Sequence, residues 1–93
     1  AGGQEAFNEA FSFMVLCKNQ AEIDAYWQKL SAVPEAEQCG WLKDKFGVSW
    51  QIVPENLGRM LAMSSPEEAN RITQTFLGMK KLVIAALEKA RLG

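Results

Sequence analysis

The sequence predicts a single small α+β domain, in which a three-stranded sheet with one crossing helix is followed by two or three further helices. Three observations support this fold class. Apolar residues recur at every second position in two stretches, which is the period of a strand. In the rest of the chain they recur at every third or fourth position, and capping signals divide that part into helices. The chain has 93 residues, 48% of them hydrophobic, which suits one domain with a packed core.

The first predicted strand covers residues 7–17. Phe11, Phe13 and Val15 share one of its faces, whereas Ala10 and Ser12 lie on the other. Alternation with aromatic enrichment is typical of a strand. We expect the bulky face to pack under helices and the smaller face to stay free of them.

The second predicted element is a helix that begins after Asn19. An asparagine side chain can accept a hydrogen bond from a first-turn amide, and Glu22 stands at the third helical position of a capping box. Apolar residues then recur at helical spacing at Ile23, Tyr26, Trp27 and Leu30. We expect the helix to end near Ser31.

A β-hairpin is predicted next. Its strands are 38–43 and 48–53, and the second strand has the cleanest alternation in the chain. Between them, 44–47 supplies a turn in which Gly47 can adopt a positive φ. Pro54 ends the hairpin, because proline cannot donate a hydrogen bond to a sheet.

From residue 55 onward the period is helical. A short helix is predicted around 57–61, and a second begins at 65–68, where Ser-Pro-Glu-Glu combines an N-cap serine, an N1 proline and a capping-box glutamate. Gly78 interrupts or ends that helix, and a last helix covers about 83–91. The prediction is therefore one domain, 1–93, made of a βαββ sheet unit (1–54) and C-terminal helices (55–93).

The composition excludes several classes of function. Ten basic and eleven acidic residues give a net charge of −1, so we expect no nucleic-acid partner and no anionic membrane partner. The chain has no histidine, which rules out serine triads and zinc fingers. The longest apolar run, 13–17, is far below the roughly 18 residues of a membrane span. Residues 1–5 carry no targeting signal, and we therefore expect the protein to be located in the cytoplasm.

The two cysteines, Cys17 and Cys39, do not have the spacing of a zinc site or of a redox pair. We expect two half-buried free thiols. A disulfide or redox pair is the alternative.

The run Gln38-Cys39-Gly40-Trp41-Leu42-Lys43-Asp44-Lys45-Phe46-Gly47-Val48-Ser49-Trp50-Gln51-Ile52-Val53-Pro54 resembles a family signature. It is similar to the PhnB-like branch of the vicinal-oxygen-chelate superfamily, which has the glyoxalase and bleomycin-resistance fold. Phe7–Phe13 resembles the strand that opens the second βαβββ module of that family. Ser65–Glu68 and Met79–Lys81 resemble its C-terminal helical extension.

The resemblance implies an architecture larger than one module. Family members carry two βαβββ modules that together curl a sheet around a site, and this chain resembles the second module with its tail. Either the sequence is part of a longer protein or two chains pair. Because an uncovered sheet face and open edges invite association, we expect a homodimer.

The resemblance also implies a metal site, which this chain does not reproduce. The histidine that the family places on the first strand corresponds roughly to Ala10, and the glutamate on the last strand corresponds to Gln51. Neither is a good ligand for a divalent metal, so we expect no metal. Members often carry the label 3-demethylubiquinone-9 3-methyltransferase, but a methyl donor needs a glycine-rich strand-to-helix turn and the sequence has none. We therefore expect no cofactor.

Three functions follow as hypotheses. The first is a module that binds a small molecule without transforming it, in a cleft formed by Ser12, Met14, Trp41, Ser49 and Gln51. The second is the C-terminal part of a metal-dependent isomerase, lyase or dioxygenase whose ligands lie in a preceding module. The third is an interaction role of the C-terminal helices, with their lysines and arginines forming a solvated face. No catalytic residue can be assigned.

Overall fold

The structure, a computed structural model, describes residues 12–93. Its elements in chain order are β1 (Ser12–Cys17), α1 (Gln20–Leu30), a 3₁₀ turn (Pro34–Ala36), β2 (Trp41–Lys43), β3 (Ser49–Pro54), α2 (Leu57–Met63), α3 (Pro66–Leu77) and α4 (Ile84–Leu92). The predicted α+β class is confirmed. The first part of the predicted opening strand, including Ala10, lies outside the described residues. The proposed division at residue 54 stays a prediction.

The three strands form one mixed sheet in the order β1–β3–β2. β1 runs parallel to β3, and β2 runs antiparallel to β3. The long connection from β1 to β3 contains α1, which covers one face of the sheet. None of the helices between residues 12 and 93 has the length and apolar composition needed to cross a membrane.

The first hydrophobic core lies between α1 and the covered sheet face. Its buried members are Cys17, Ile23, Trp27, Leu42 and Ile52. The predicted apolar stripe of α1 is confirmed for Ile23 and Trp27, whereas Tyr26 is 41% exposed. The N-cap prediction is also confirmed, since the Asn19 side chain accepts a 3.0 Å hydrogen bond from the Glu22 amide. The helix ends at Ser31, as expected.

Phe13 departs from the prediction that the bulky side of β1 packs under helices. Val15 contacts the core, but Phe13 is 51% exposed. Its ring lies against Trp50, with 4.9 Å between ring centroids. Phe13 precedes the buried Cys17 by four residues, about 13 Å along an extended strand, and so lies beyond the part of the sheet that α1 covers.

A second core joins the three C-terminal helices. Met60 of α2, Ile72 of α3 and Leu87 of α4 are its buried residues. The start of α3 is confirmed as a capping box: Ser65 Oγ accepts from the Glu68 amide at 3.1 Å, and the Ser65 amide donates to Glu68 Oε1 at 2.7 Å. Each bond satisfies an amide that the helix itself leaves free.

The first predicted hairpin strand, 38–43, is shorter in the structure. Residues 38–41 form a tight turn, in which Gln38 and Trp41 exchange backbone hydrogen bonds of 3.1 and 2.8 Å. Cys39 and Gly40 have φ values of 54° and 86°. Positive φ at both central residues is the requirement of a type I′ turn. Only Trp41–Lys43 therefore continues as β2, and Gly40 belongs to a turn rather than to a strand.

This turn packs against the connection between α3 and α4. The Cys39 amide donates to Met79 O at 2.7 Å and the Gly40 amide to Lys80 O at 2.8 Å. A methyl group on Gly40 would lie 3.1 Å from a Leu82 methyl and 3.2 Å from Ile52 O. The two cores are thus joined at a position with no room for a side chain.

Gly40→Ala should therefore destabilise the fold strongly, by about 3 kcal/mol, since a left-handed φ and close contacts both oppose the new methyl group. Gly47→Ala is the matched control, because Gly47 has φ 82° and nothing within 4 Å of the added Cβ. It should cost only about 1 kcal/mol. Urea unfolding followed by circular dichroism measures both values, and equal losses would contradict the packing argument.

The turn predicted at residues 44–47 is confirmed, and Asp44 organises it. Asp44 Oδ1 accepts from the amides of Phe46 and Val48 at 2.9 and 3.0 Å. Asp44 Oδ2 accepts from Trp50 Nε1 at 2.9 Å. The Trp50 hydrogen bond, followed by those of the two amides, lowers the pKa of Asp44 below its ordinary value of 3.8. The carboxylate is the form that the turn requires.

A lowered pKa in the folded state means that this contribution to stability is present above pH 3.8 and is lost as the pH falls through the folded value. Asp44→Asn keeps one acceptor oxygen but turns an N–H group towards Trp50. We expect it to destabilise the domain at pH 7 and to flatten the loss of stability below about pH 4. Urea titrations at several pH values measure this, with exposed Glu35→Gln as the control for removing one negative charge. If the free energy of unfolding of Asp44→Asn falls below about pH 4 as steeply as that of the wild type, the stabilising role of the Asp44 carboxylate is refuted.

Candidate functional site

The sheet face opposite α1 carries all five residues predicted for a ligand cleft. Strand register places Met14 beside Gln51 and Gln51 beside Trp41, so that these three form a row across the sheet. Ser12, Ser49 and Lys43 form the next row. Residues paired in register point to the same side of a sheet. Lys43, which the sequence analysis did not select, belongs to the same face.

Only part of this face lies in a cleft. A concavity of about 460 Å³ lies between the β2 end of the sheet and the end of α3. Its lining consists of Ala36, Gln38, Cys39, Trp41, Gln51, Phe76 and Leu77. The structure thus brings Trp41 and Gln51 together, whereas Ser12, Met14 and Ser49 lie on the same face outside the cleft. This concavity is called the sheet cleft below.

The turn at residues 38–41 builds one wall of the sheet cleft. It ends at Trp41, which is 38% exposed, and it holds Cys39 against α3, where the thiol lies 3.5 Å from Leu77 O. Phe76 and Leu77 supply the opposite wall from the last turn of α3. Phe76 follows Ile72 at helical spacing, which is typical of the inward face of an amphipathic helix. No sequence signal placed α3 beside β2, because that contact depends on how two distant segments dock.

The sheet cleft is mainly apolar, with the amides of Gln38 and Gln51 as its polar groups. Among the described residues that line it, none is acidic or basic, and they offer no carboxylate or ammonium group for proton transfer. Both cysteines are free. Cys17 lies in the first core, where burial and then the Glu22 charge raise the pKa of its thiol. Such a lining suits binding of an apolar molecule with few polar groups.

The three tryptophans have different roles. Trp27 is buried, as predicted, and its Nε1 donates to Glu37 Oε2 at 3.0 Å. Trp50 is half-buried, and its Nε1 donates a hydrogen bond to Asp44 Oδ2. Trp41 is the tryptophan that lines the sheet cleft, and it is the one available to a ligand.

The described residues of this face do not fit a divalent metal ion. Gln51 offers a neutral amide oxygen where the resemblance implies a carboxylate, and the sequence contains no histidine. Within residues 12–93, no three cysteine, aspartate or glutamate side chains come close enough to hold a metal together. We therefore derive no metal-dependent step.

A family model described as 3-demethylubiquinone-9 3-methyltransferase matches residues 1–53. The chain belongs to this family. In this 3-demethylubiquinone-9 3-methyltransferase family member, the matched segment contains β1, α1 and the hairpin as far as Val53, and thus the strands of the sheet cleft. The helices α2–α4 lie outside the match. No curated protein matches the chain. That the chain corresponds to the second of two modules stays a prediction.

Proposed function

We propose that the chain is a small-molecule-binding module of the glyoxalase and bleomycin-resistance type, with the sheet cleft as its ligand site. The supporting observation is that Trp41 and Gln51, from two adjacent strands, share one concavity with Phe76 and Leu77 of α3. Aromatic and aliphatic walls around a few polar groups are typical of ligand sites.

The chemistry of the lining favours a planar, apolar ligand that carries one hydrogen-bonding group. An aromatic molecule can stack on the indole of Trp41, while the amide of Gln51 both donates and accepts hydrogen bonds. A volume of about 460 Å³ accommodates a small ligand. A charged ligand would find no ionised partner among the described lining residues.

Catalysis with a metal is the alternative proposal. It would make the chain the C-terminal part of a vicinal-oxygen-chelate isomerase, lyase or dioxygenase. Every metal ligand would then have to come from elsewhere, because Gln51 offers only an amide. Methyl transfer is also disfavoured, since the turn between β1 and α1 is Lys18-Asn19 and lacks the glycines that seat a methyl donor.

The proposed partner is a second copy of the chain. β1 is an edge strand whose only described partner is β3. On the face away from α1, its Met14 and Leu16 are 62% and 58% exposed. An edge strand with exposed apolar side chains favours association, and self-pairing in a closed dimer is the commonest form.

Ligand binding is tested by tryptophan emission during titration with planar, uncharged aromatic compounds, namely naphthols. We expect quenching of the wild-type protein by naphthols, loss of most of it in Trp41→Phe, and about tenfold weaker binding in Gln51→Ala. Gln28→Ala, on the exposed side of α1, is the matched control for loss of an amide. Equal quenching in wild type and Trp41→Phe would refute this site.

The dimer is tested by light scattering coupled to size exclusion. We expect twice the chain mass for the wild type and the monomer mass for Leu16→Lys, which puts a charge on the exposed face of β1. Phe46→Lys is the control, because Phe46 is 79% exposed at the hairpin tip. A monomeric wild type would overturn the proposal. Dissociation caused instead by Leu57→Asp or Phe76→Asp would place the interface on the C-terminal helices.

A further inference from the structure

A second concavity lies in the C-terminal half of the chain, between α2 and α4. It has a volume of about 270 Å³. Met60, Met63 and Leu92 form its apolar wall, and Arg59, Glu88 and Arg91 contribute charged groups. None of these residues lines the sheet cleft. We call this concavity the helix cleft.

The two arginines of the helix cleft are not neutralised by an ion pair. Among residues 12–93, the salt bridge within 4 Å is Lys81–Asp24, with 2.9 Å between Lys81 Nζ and Asp24 Oδ1. Glu88 lines the same cleft but is not within that distance of either guanidinium. Two positive charges therefore face one negative charge, and the lining has a net charge of +1.

Arg91 differs from a surface arginine. The sequence placed it on a solvated face, but the residue is half-buried, and its Nε is buried without a hydrogen-bond acceptor in the described part of the chain. Partial burial of a guanidinium without a partner is costly, and an anion beside it reduces that cost. The packing thus holds this cation in position with its charge only partly compensated. After the hydrogen bond from the Ser65 amide, the charge of Arg91 also lowers the pKa of Glu68, but the two side chains form no salt bridge within 4 Å.

Other polar groups near Arg91 are already engaged. Arg71 uses its Nε and Nη2 to donate to Ala90 O at 2.9 Å and to Arg91 O at 2.7 Å, which caps the end of α4. The Glu68 carboxylate accepts from the Ser65 amide in the α3 capping box. By contrast, Asn56, which also lines the helix cleft, makes no capping bond to α2 and can serve as a donor to a ligand.

We propose that the helix cleft binds small carboxylic acids with an apolar body. Arg59 and Arg91 receive the carboxylate, because guanidinium groups match its two oxygens in geometry and charge. Met60, Met63 and Leu92 contact the apolar body, and methionine adapts to bodies of different shape. The volume is slightly below the roughly 300 Å³ at which sites for drug-sized ligands begin, which limits the acid to a small one.

Glu88 weakens the binding of anions to this site. Its carboxylate repels a bound anion and so disfavours ligands with two negative charges. Glu88→Gln removes that repulsion without changing the shape of the side chain, and we expect it to tighten binding of a monocarboxylate several-fold. Tighter binding in this variant separates a carboxylate site from a site for cations, which would lose affinity.

The test is calorimetric titration of the full chain with sodium hexanoate, compared with 1-hexanol. We expect hexanoate to bind and hexanol to bind at least about tenfold more weakly. Arg59→Gln and Arg91→Gln should each weaken hexanoate binding about tenfold, whereas Lys89→Gln, which removes an exposed charge from α4, should leave it unchanged. Equal affinities for acid and alcohol, or unchanged affinities in both arginine variants, would overturn the proposal.

Two further measurements test whether hexanoate binds through charge and whether it binds in the helix cleft. If an arginine variant fails to fold, as judged by its thermal melt, salt dependence in the wild type replaces it: hexanoate binding should weaken towards about 1 M NaCl, and salt-independent binding would refute a charged site. The Trp41→Phe and Gln51→Ala variants should bind hexanoate normally. Loss of binding in those variants would assign the acid to the sheet cleft and overturn the proposal for the helix cleft.

Discussion

The docking of the Cys39–Gly40 turn onto the chain between α3 and α4 is the interaction on which the rest of this structure depends. Two successive amides of the turn donate to the carbonyls of Met79 and Lys80, and Gly40 O accepts from the Ile52 amide at 2.8 Å. The turn is therefore bonded to the sheet on one side and to the helical half on the other. A side chain at residue 40 would separate the two, because the space is filled by Leu82.

Gln20 completes this connection from the other end of the sheet unit. Its Nε2 donates to Leu82 O at 3.0 Å and its Oε1 accepts from the Ile84 amide at 2.8 Å, so one side chain satisfies two backbone groups at the start of α4. Leu82 is fully buried between these attachments. The two hydrophobic cores are thus held by directional bonds that fix α3 beside β2. The sheet cleft is a consequence of this arrangement, since the position of α3 sets one of its walls.

Local patterns explain which parts of the fold were predictable. Alternation identified β3, and the caps at Asn19 and Ser65 marked two helix starts, because a cap is satisfied within a single turn of chain. The aromatic content of residues 38–43 predicts a strand throughout, because nothing in it indicates the positive φ of Cys39, a residue type that rarely adopts one. The exposure of Phe13 was likewise missed, because periodicity defines a face but not how far a helix covers it.

By itself, the sequence determined the α+β class, the order of the elements along the chain, the lack of a histidine and the alternation that puts Ser12 and Met14 on one face of their strand and Ser49 and Gln51 on one face of theirs. Each of these follows from composition or from the two-residue period of a strand. Tertiary structure alone decided that, of the five residues predicted for a ligand cleft, Trp41 and Gln51 enter one, and that Arg91 is half-buried in a second cleft that Arg59 also lines. These relations depend on long-range docking of helices, whose contacts join residues far apart in the chain and leave no periodic signal in it.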